Sequence, residues 1–182
     1  MSNLPNEICP DWKENKPKIL NGVIVGCDEK QEWMLPWWWL NFSSNNSFPV
    51  AFVDFGLSEN AKAWCAAHGT LISLQTPTHF VAERNEVDPS LVALWELLIH
   101  GKQLWNLRKS WFKKLLALMQ TPFQNTLWID VDYQTTGALD EIFTISADMA
   151  LSREQTVIQE SLKPIGLTLP GEASFNSGMV FY

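Results

Sequence analysis

The chain has 182 residues, the length of a single domain, and sets 13 lysines and arginines against 20 aspartates and glutamates, a net charge of −7. That balance excludes a general nucleic-acid binder, which needs a basic face to meet phosphates, and leaves room only for a local basic pocket. With no apolar run of membrane-spanning length, no signal-peptide core in Met1–Lys18, and Cys9, Cys27 and Cys65 forming no Cys-x-x-Cys pair, the expectation is a soluble cytoplasmic domain with reduced thiols and no zinc site.

In chain order, residues 1–20 read as a polar lead with Pro5, Pro10 and Pro17, and residues 21–182 as one domain. Gly22-Val23-Ile24-Val25-Gly26-Cys27 is a short β-branched run, the form of a buried parallel strand, and Asp28 follows it. Ten tryptophans are many for this length, but the rings of Trp37, Trp38 and Trp39 would point about 100° apart on a helix, so they form no single stacking surface and at least one belongs in the core. Pro49–Asp54 is a second strand. Ser58 then caps a helix to about Ala67, Gly69 ends it, and Leu71–Leu74 is a third strand. The pattern breaks over 75–87. Asp88-Pro89 opens a helix with the stripe Leu91, Leu94, Trp95, Leu98 and Ile99, stopped at Gly101.

Leu104, Leu107, Trp111, Leu115 and Leu118 recur at helical spacing and predict an amphipathic helix whose other faces carry Arg108, Lys109, Lys113 and Lys114. Leu127-Trp128-Ile129 reads as a buried strand, and Asn176-Ser177-Gly178 as a turn opening a last one. Strands alternating with helices predict an α/β fold with a mostly parallel sheet, right-handed crossovers and a ligand site at the carboxyl ends of the strands. Asp28, Asp54, Asp130 and Asp132 all fall at such ends.

Asp130 and Asp132 make an Asp-x-Asp pair. Where a strand ends and the backbone bends, both carboxylates can reach one hard cation such as Mg²⁺ or Mn²⁺, which binds together with substrate phosphates. The plainer alternative is a strand followed by a solvated acidic turn. Asn176 can both donate and accept hydrogen bonds, as suits sugar hydroxyls, and Gly178 permits close backbone approach; a plain strand-entry turn is the alternative there. Asp54 reads as scaffold, and His68, His79 and His100 have no metal-ligand spacing.

Three segments together resemble glycosyltransferases of the GT-A fold, closest to family 8, which move sugar from a nucleotide diphosphate with retention. They are Val53–Asn60, Thr126–Asp132 and Phe175–Met179, in family order. The resemblance implies Mn²⁺ or Mg²⁺ on Asp130 and Asp132, and a nucleotide-sugar donor, by family habit a UDP-sugar, with an acceptor it does not specify. It further implies Asp28 and Asp132 on the donor, Lys113 as the basic residue reaching it, and Asn176 in the catalytic site. Lys113 stands where the family usually has arginine, which keeps the charge but loses the bidentate fork; a solvated helix face is the alternative for Lys113 and the expectation for Lys109 and Lys114. The family also draws a histidine metal ligand from beyond the Asn-Ser-Gly strand. From the stop at Tyr182 follow the expectations of a domain incomplete at its carboxyl end, an exposed last strand open to self-association, and weak or absent transfer. Two other readings stand beside this one: a non-catalytic remnant that binds nucleotide or partner, and a phosphatase of the haloacid dehalogenase type with Asp130 as nucleophile, which Gln134 and the short remaining chain disfavour.

Overall fold

The structure, a computed structural model, describes residues 19–97, 104–163 and 171–182. The lead to Lys18 with Cys9, and Leu98, Ile99, His100 and the helix stop at Gly101, lie outside these residues. In order the elements are β1 (Ile19–Cys27), α1 (Leu35–Ser43), β2 (Val50–Asp54), α2 (Glu59–His68), β3 (Thr70–Ser73), α3 (Pro89–Leu97), α4 (Leu104–Met119), β4 (Phe123–Ile129), β5 (Ala150–Arg153), α5 (Thr156–Leu162) and β6 (Phe175–Phe181). The expected lead therefore ends sooner than residue 20, because Ile19 and Leu20 already belong to β1.

The strands form one sheet in the order β3-β2-β1-β4-β6-β5. Its first four strands run parallel, with Val23 opposite Val50 on one side of β1 and opposite Leu127 on the other. β6 is antiparallel to both β4 and β5. This is the expected α/β architecture with an antiparallel flank.

Alternation along β1 decides the two layers of core. Val23, Val25 and Cys27 point to one face, where they meet Leu35, Trp38 and Phe42 of α1 and Cys65 of α2. Ile24 points to the other, with Val53, Phe55, Trp128 and the α4 residues Ala117 and Leu118. A strand buried on both faces needs apolar residues at every position, and this is why Gly22–Cys27 reads as a continuous run. Of the tryptophan triplet, Trp38 is fully buried and stacks on Phe42 at 5.2 Å, whereas Trp37 is exposed. Cys27 and Cys65 are free thiols in this layer, and burial pushes them up to about 12 and about 11.

Local signals act as read. The Ser58 hydroxyl accepts from the Ala61 N–H at 3.3 Å at the start of α2. Gly69 is required by crowding, since a Cβ there would sit 2.4 Å from the Val50 carbonyl oxygen.

Two expectations are corrected. The face of α4 that meets the sheet is only partly the expected stripe: Leu118 is buried as expected, but Trp111 and Leu115 are about half exposed, while Arg108, Leu116 and Ala117 are buried. The rotation of the helix follows from Lys113 and Lys114, which find partners on the sheet and turn their side of α4 toward it. Nor does the last strand present a free edge, because β6 is hydrogen-bonded on both sides by β4 and β5. The strand that covers it, Ala-Leu-Ser-Arg, carries no strand signal of its own. Among the described residues no helix is long and apolar enough to cross a membrane.

Candidate functional site

A cleft of about 360 Å³ opens at the carboxyl ends of β1 and β4, against α4. Its floor is apolar, from Gly26, Phe55 and Trp128, and its charged groups are Asp28, Asp130, Asp132, Lys30 and Lys114. The position follows from the topology: neighbouring parallel strands end at one level, and the chain leaves them in divergent loops.

Each acid is held differently. Asp28 opens the turn after β1, its carboxylate accepting the Lys30 N–H at 3.0 Å. Asp54, at the end of β2, accepts the N–H groups of Gly56 and Leu57 at 2.8 and 2.7 Å and pairs with Lys62 at 3.5 Å. Burial alone would raise the Asp54 carboxyl, but those N–H donors and Lys62 outweigh it and hold the group below its ordinary value. Asp54 builds a turn and does not line the cleft.

Asp130 follows β4 at its last hydrogen bond to β6, with its own N–H on the Gly178 carbonyl at 2.8 Å. The backbone then folds into a turn in which the Tyr133 N–H reaches the Asp130 carbonyl at 3.0 Å, so Asp130 and Asp132 both face the cleft despite their spacing. The indole N–H of Trp128 donates to Asp130 Oδ1 at 2.5 Å. Lys114 Nζ lies 2.8 Å from the same oxygen and 3.1 Å from Oδ2. Burial raises the Asp130 carboxyl above its ordinary value; Lys114 and Trp128 offset this only in part, and Asp132 adds to the rise.

Lys114 is bound on every side. Its ammonium also donates to the Ser177 carbonyl at 2.7 Å and reaches the Ser177 hydroxyl at 3.3 Å, and it stands 5.3 Å from the centre of the Trp128 ring. It is the basic residue of α4 in the cleft, and the reading that put it on a solvated face is corrected: its side chain is 15% exposed. Lys113, one residue away and so turned by about 100°, donates to the Phe55 carbonyl at 2.7 Å and does not line the cleft. Ser110, Trp111 and Lys114 do line it, and their spacing of three and four residues is the signal that would have distinguished Lys114 from Lys113.

Asn176 is not in the cleft lining either. Its Oδ1 accepts from the Tyr133 hydroxyl at 2.9 Å and from the Gly178 N–H at 2.8 Å, and its Nδ2 donates to Glu154 at 3.2 Å. The close approach at Gly178 is to protein: a Cβ there would lie 2.5 Å from the Tyr133 ring. The sequence thus finds Asp28, Asp130 and Asp132, which the fold brings together, and misses Lys30 and Lys114.

Mn²⁺ or Mg²⁺ needs several oxygen ligands with free lone pairs. Asp130 does not fit such an ion as it stands, since the Lys114 ammonium already lies against both of its oxygens and would face a divalent cation there as a like charge. Among the described residues no group of three or more His, Cys, Asp or Glu side chains is placed to hold a metal.

No protein-family model matches the chain, and no curated protein does. Among solved structures it is similar to the galactosyltransferase LgtC in complex with donor and acceptor sugar analogs, at 19% identity and a TM-score of 0.55, over 89% of this chain and 57% of that one. An active-site mutant of LgtC gives 18% identity and a TM-score of 0.55, over 89% and 56%. The glycosyltransferase GlyE of Streptococcus pneumoniae TIGR4 aligns at 12% identity and a TM-score of 0.43, over 89% and 33%, too distant to bear on the fold. The chain has the α/β fold of the GT-A glycosyltransferases and spans about 57% of the length of the galactosyltransferase. A shared fold at this identity does not carry chemistry with it.

Proposed function

We propose that the chain is a glycosyltransferase domain that binds a nucleotide-diphosphate sugar, a UDP-sugar by family resemblance, in the cleft between β1, β4 and α4. The observation that carries this reading is the cleft itself, where two ammonium groups and three carboxylates meet over an aromatic floor at the strand ends. The ammonium groups suit a diphosphate, the carboxylates suit ribose or sugar hydroxyls, and Trp111 offers a ring to a base. In transfer, the bond from the anomeric carbon to the diphosphate oxygen breaks, the nucleoside diphosphate leaves with the electron pair, and an acceptor oxygen bonds the carbon and loses its proton. Retention at that carbon belongs to the reading through the family 8 resemblance.

Asp28 and Asp132 are the proposed donor contacts. Lys113 and Asn176 enter as positioning residues, the one fixing α4 to the Phe55 carbonyl and the other fixing Tyr133 and the Ser177 turn. The expected Mn²⁺ or Mg²⁺ would demand that Lys114 first leave Asp130, so no step here depends on it. The phosphatase alternative needs a free Asp130 nucleophile, and the donors on both its oxygens disfavour that chemistry.

The test is a thermal-shift series with UDP, ADP, GDP and UDP-hexoses. A ligand that binds only the native state stabilises it by about 2.7 kcal/mol at a hundred times its Kd. UDP and at least one UDP-hexose are expected to raise the melting temperature more than ADP or GDP. A chain whose melting temperature none of them moves does not have this function.

A further inference from the structure

We propose that the ammonium of Lys114, not a divalent ion, is the resident cation at Asp130, so that the cleft takes the diphosphate of a nucleotide without metal. The inference deepens the sugar-nucleotide reading and rests on it. Lys114 Nζ sits between both oxygens of Asp130, the position a bidentate cation would take. A divalent ion at that carboxylate would be repelled by the ammonium, which makes metal binding there compete with Lys114.

Leaving costs Lys114 a great deal. It would give up Asp130, the Ser177 carbonyl and hydroxyl, and the face of Trp128, in a setting where its side chain is 15% exposed and water replaces those partners poorly. Among the described residues no group of three or more His, Cys, Asp or Glu side chains is placed to hold a metal in its stead. For an incoming diphosphate the site is already assembled. The long 3.3 Å contact to the Ser177 hydroxyl is the donor Lys114 can redirect to a phosphate oxygen, and Lys30 brings a second positive charge to the same cleft.

UDP affinity is measured by calorimetry on the native chain, on Lys114→Gln and on Lys114→Arg, each in EDTA and in Mn²⁺. Mn²⁺ binding to the native chain and Lys114→Gln is followed separately by electron paramagnetic resonance without nucleotide. Native UDP affinity is expected to agree within about twofold between EDTA and Mn²⁺, and the native chain should take up no stoichiometric Mn²⁺. Lys114→Gln should lose at least tenfold in EDTA and recover part of it with Mn²⁺, which then finds Asp130 open; a merely structural lysine would not create that metal response. Lys114→Arg should keep metal-free binding. Native binding that needs Mn²⁺ overturns the inference and leaves the function standing, whereas no UDP binding in either condition overturns both. Should Lys114→Gln fail to fold, the native pair of titrations and Lys114→Arg decide the matter alone: metal-free binding kept in both upholds the inference, and its loss in either rejects it.

Discussion

Asp54 and Asp130 hold the same place in the topology, each at the carboxyl end of a buried parallel strand, and their surroundings are opposite. Asp54 is wrapped by the backbone N–H groups of its own turn and held below the ordinary carboxylate range. Asp130 has its own N–H spent on β6 and its carboxylate answered only by side chains, Trp128 of its own strand and Lys114 of α4, and burial holds it above that range. An acid satisfied by its own turn stabilises that turn. An acid satisfied by a lysine of the neighbouring helix is costly to the fold and useful to a ligand, because the same burial that raises it sharpens every charge nearby.

The contrast can be broken most severely at Trp128, which supports Asp130 from below with its N–H and stacks on Phe55 at 6.1 Å. Trp128→Ala removes a ring that is 1% exposed and is expected to cost about 3–5 kcal/mol by urea unfolding, with loss of nucleotide binding. A cost below about 1 kcal/mol would show that the β4 core does not depend on it.

Next in size is the turn acid. Asp54→Ala strips acceptors from two backbone donors and from Lys62 and should destabilise by about 2 kcal/mol without altering nucleotide affinity in the folded protein. Asp130→Asn keeps an acceptor for Trp128 and Lys114, so its stability should change by less than about 1 kcal/mol. Its UDP affinity in EDTA should hold or rise, since one negative charge leaves the cleft. Were Asp130 the ligand of an obligatory metal, the same change would abolish binding.

The smallest effect is in the pH dependence, where the two acids carry opposite signs. The lowered Asp54 carboxyl contributes stability that is present above its unfolded value near 3.8 and is lost as pH falls through the folded one. The raised Asp130 carboxyl binds its proton more tightly in the folded chain, so folding gains stability as pH falls through the raised value toward 3.8. In unfolding curves between neutral pH and pH 3, the gap between native chain and Asp54→Asn should therefore narrow on acidification. For Asp130→Asn, measured as native minus variant, it should widen in the native chain's favour. Parallel curves would mean that the two sites are electrostatically alike.

The sequence by itself determined the elements whose signals are local. The β-branched run before Cys27, the Ser58 cap, the Gly69 stop and the Asp88-Pro89 start each act within a few residues, and the structure keeps them all. It also determined that acids stand at strand ends, because a parallel sheet fixes where its strands finish. Only the tertiary structure decided which of those acids shares a cleft with which cation. Lys113 and Lys114 are indistinguishable by composition; one meets Phe55, 58 residues back, and the other Ser177, 63 residues on. The rotation of α4 about its axis depends on both contacts at once, as does the use of Ala150–Arg153 as a strand, which its sequence does not favour and its pairing with β6 imposes.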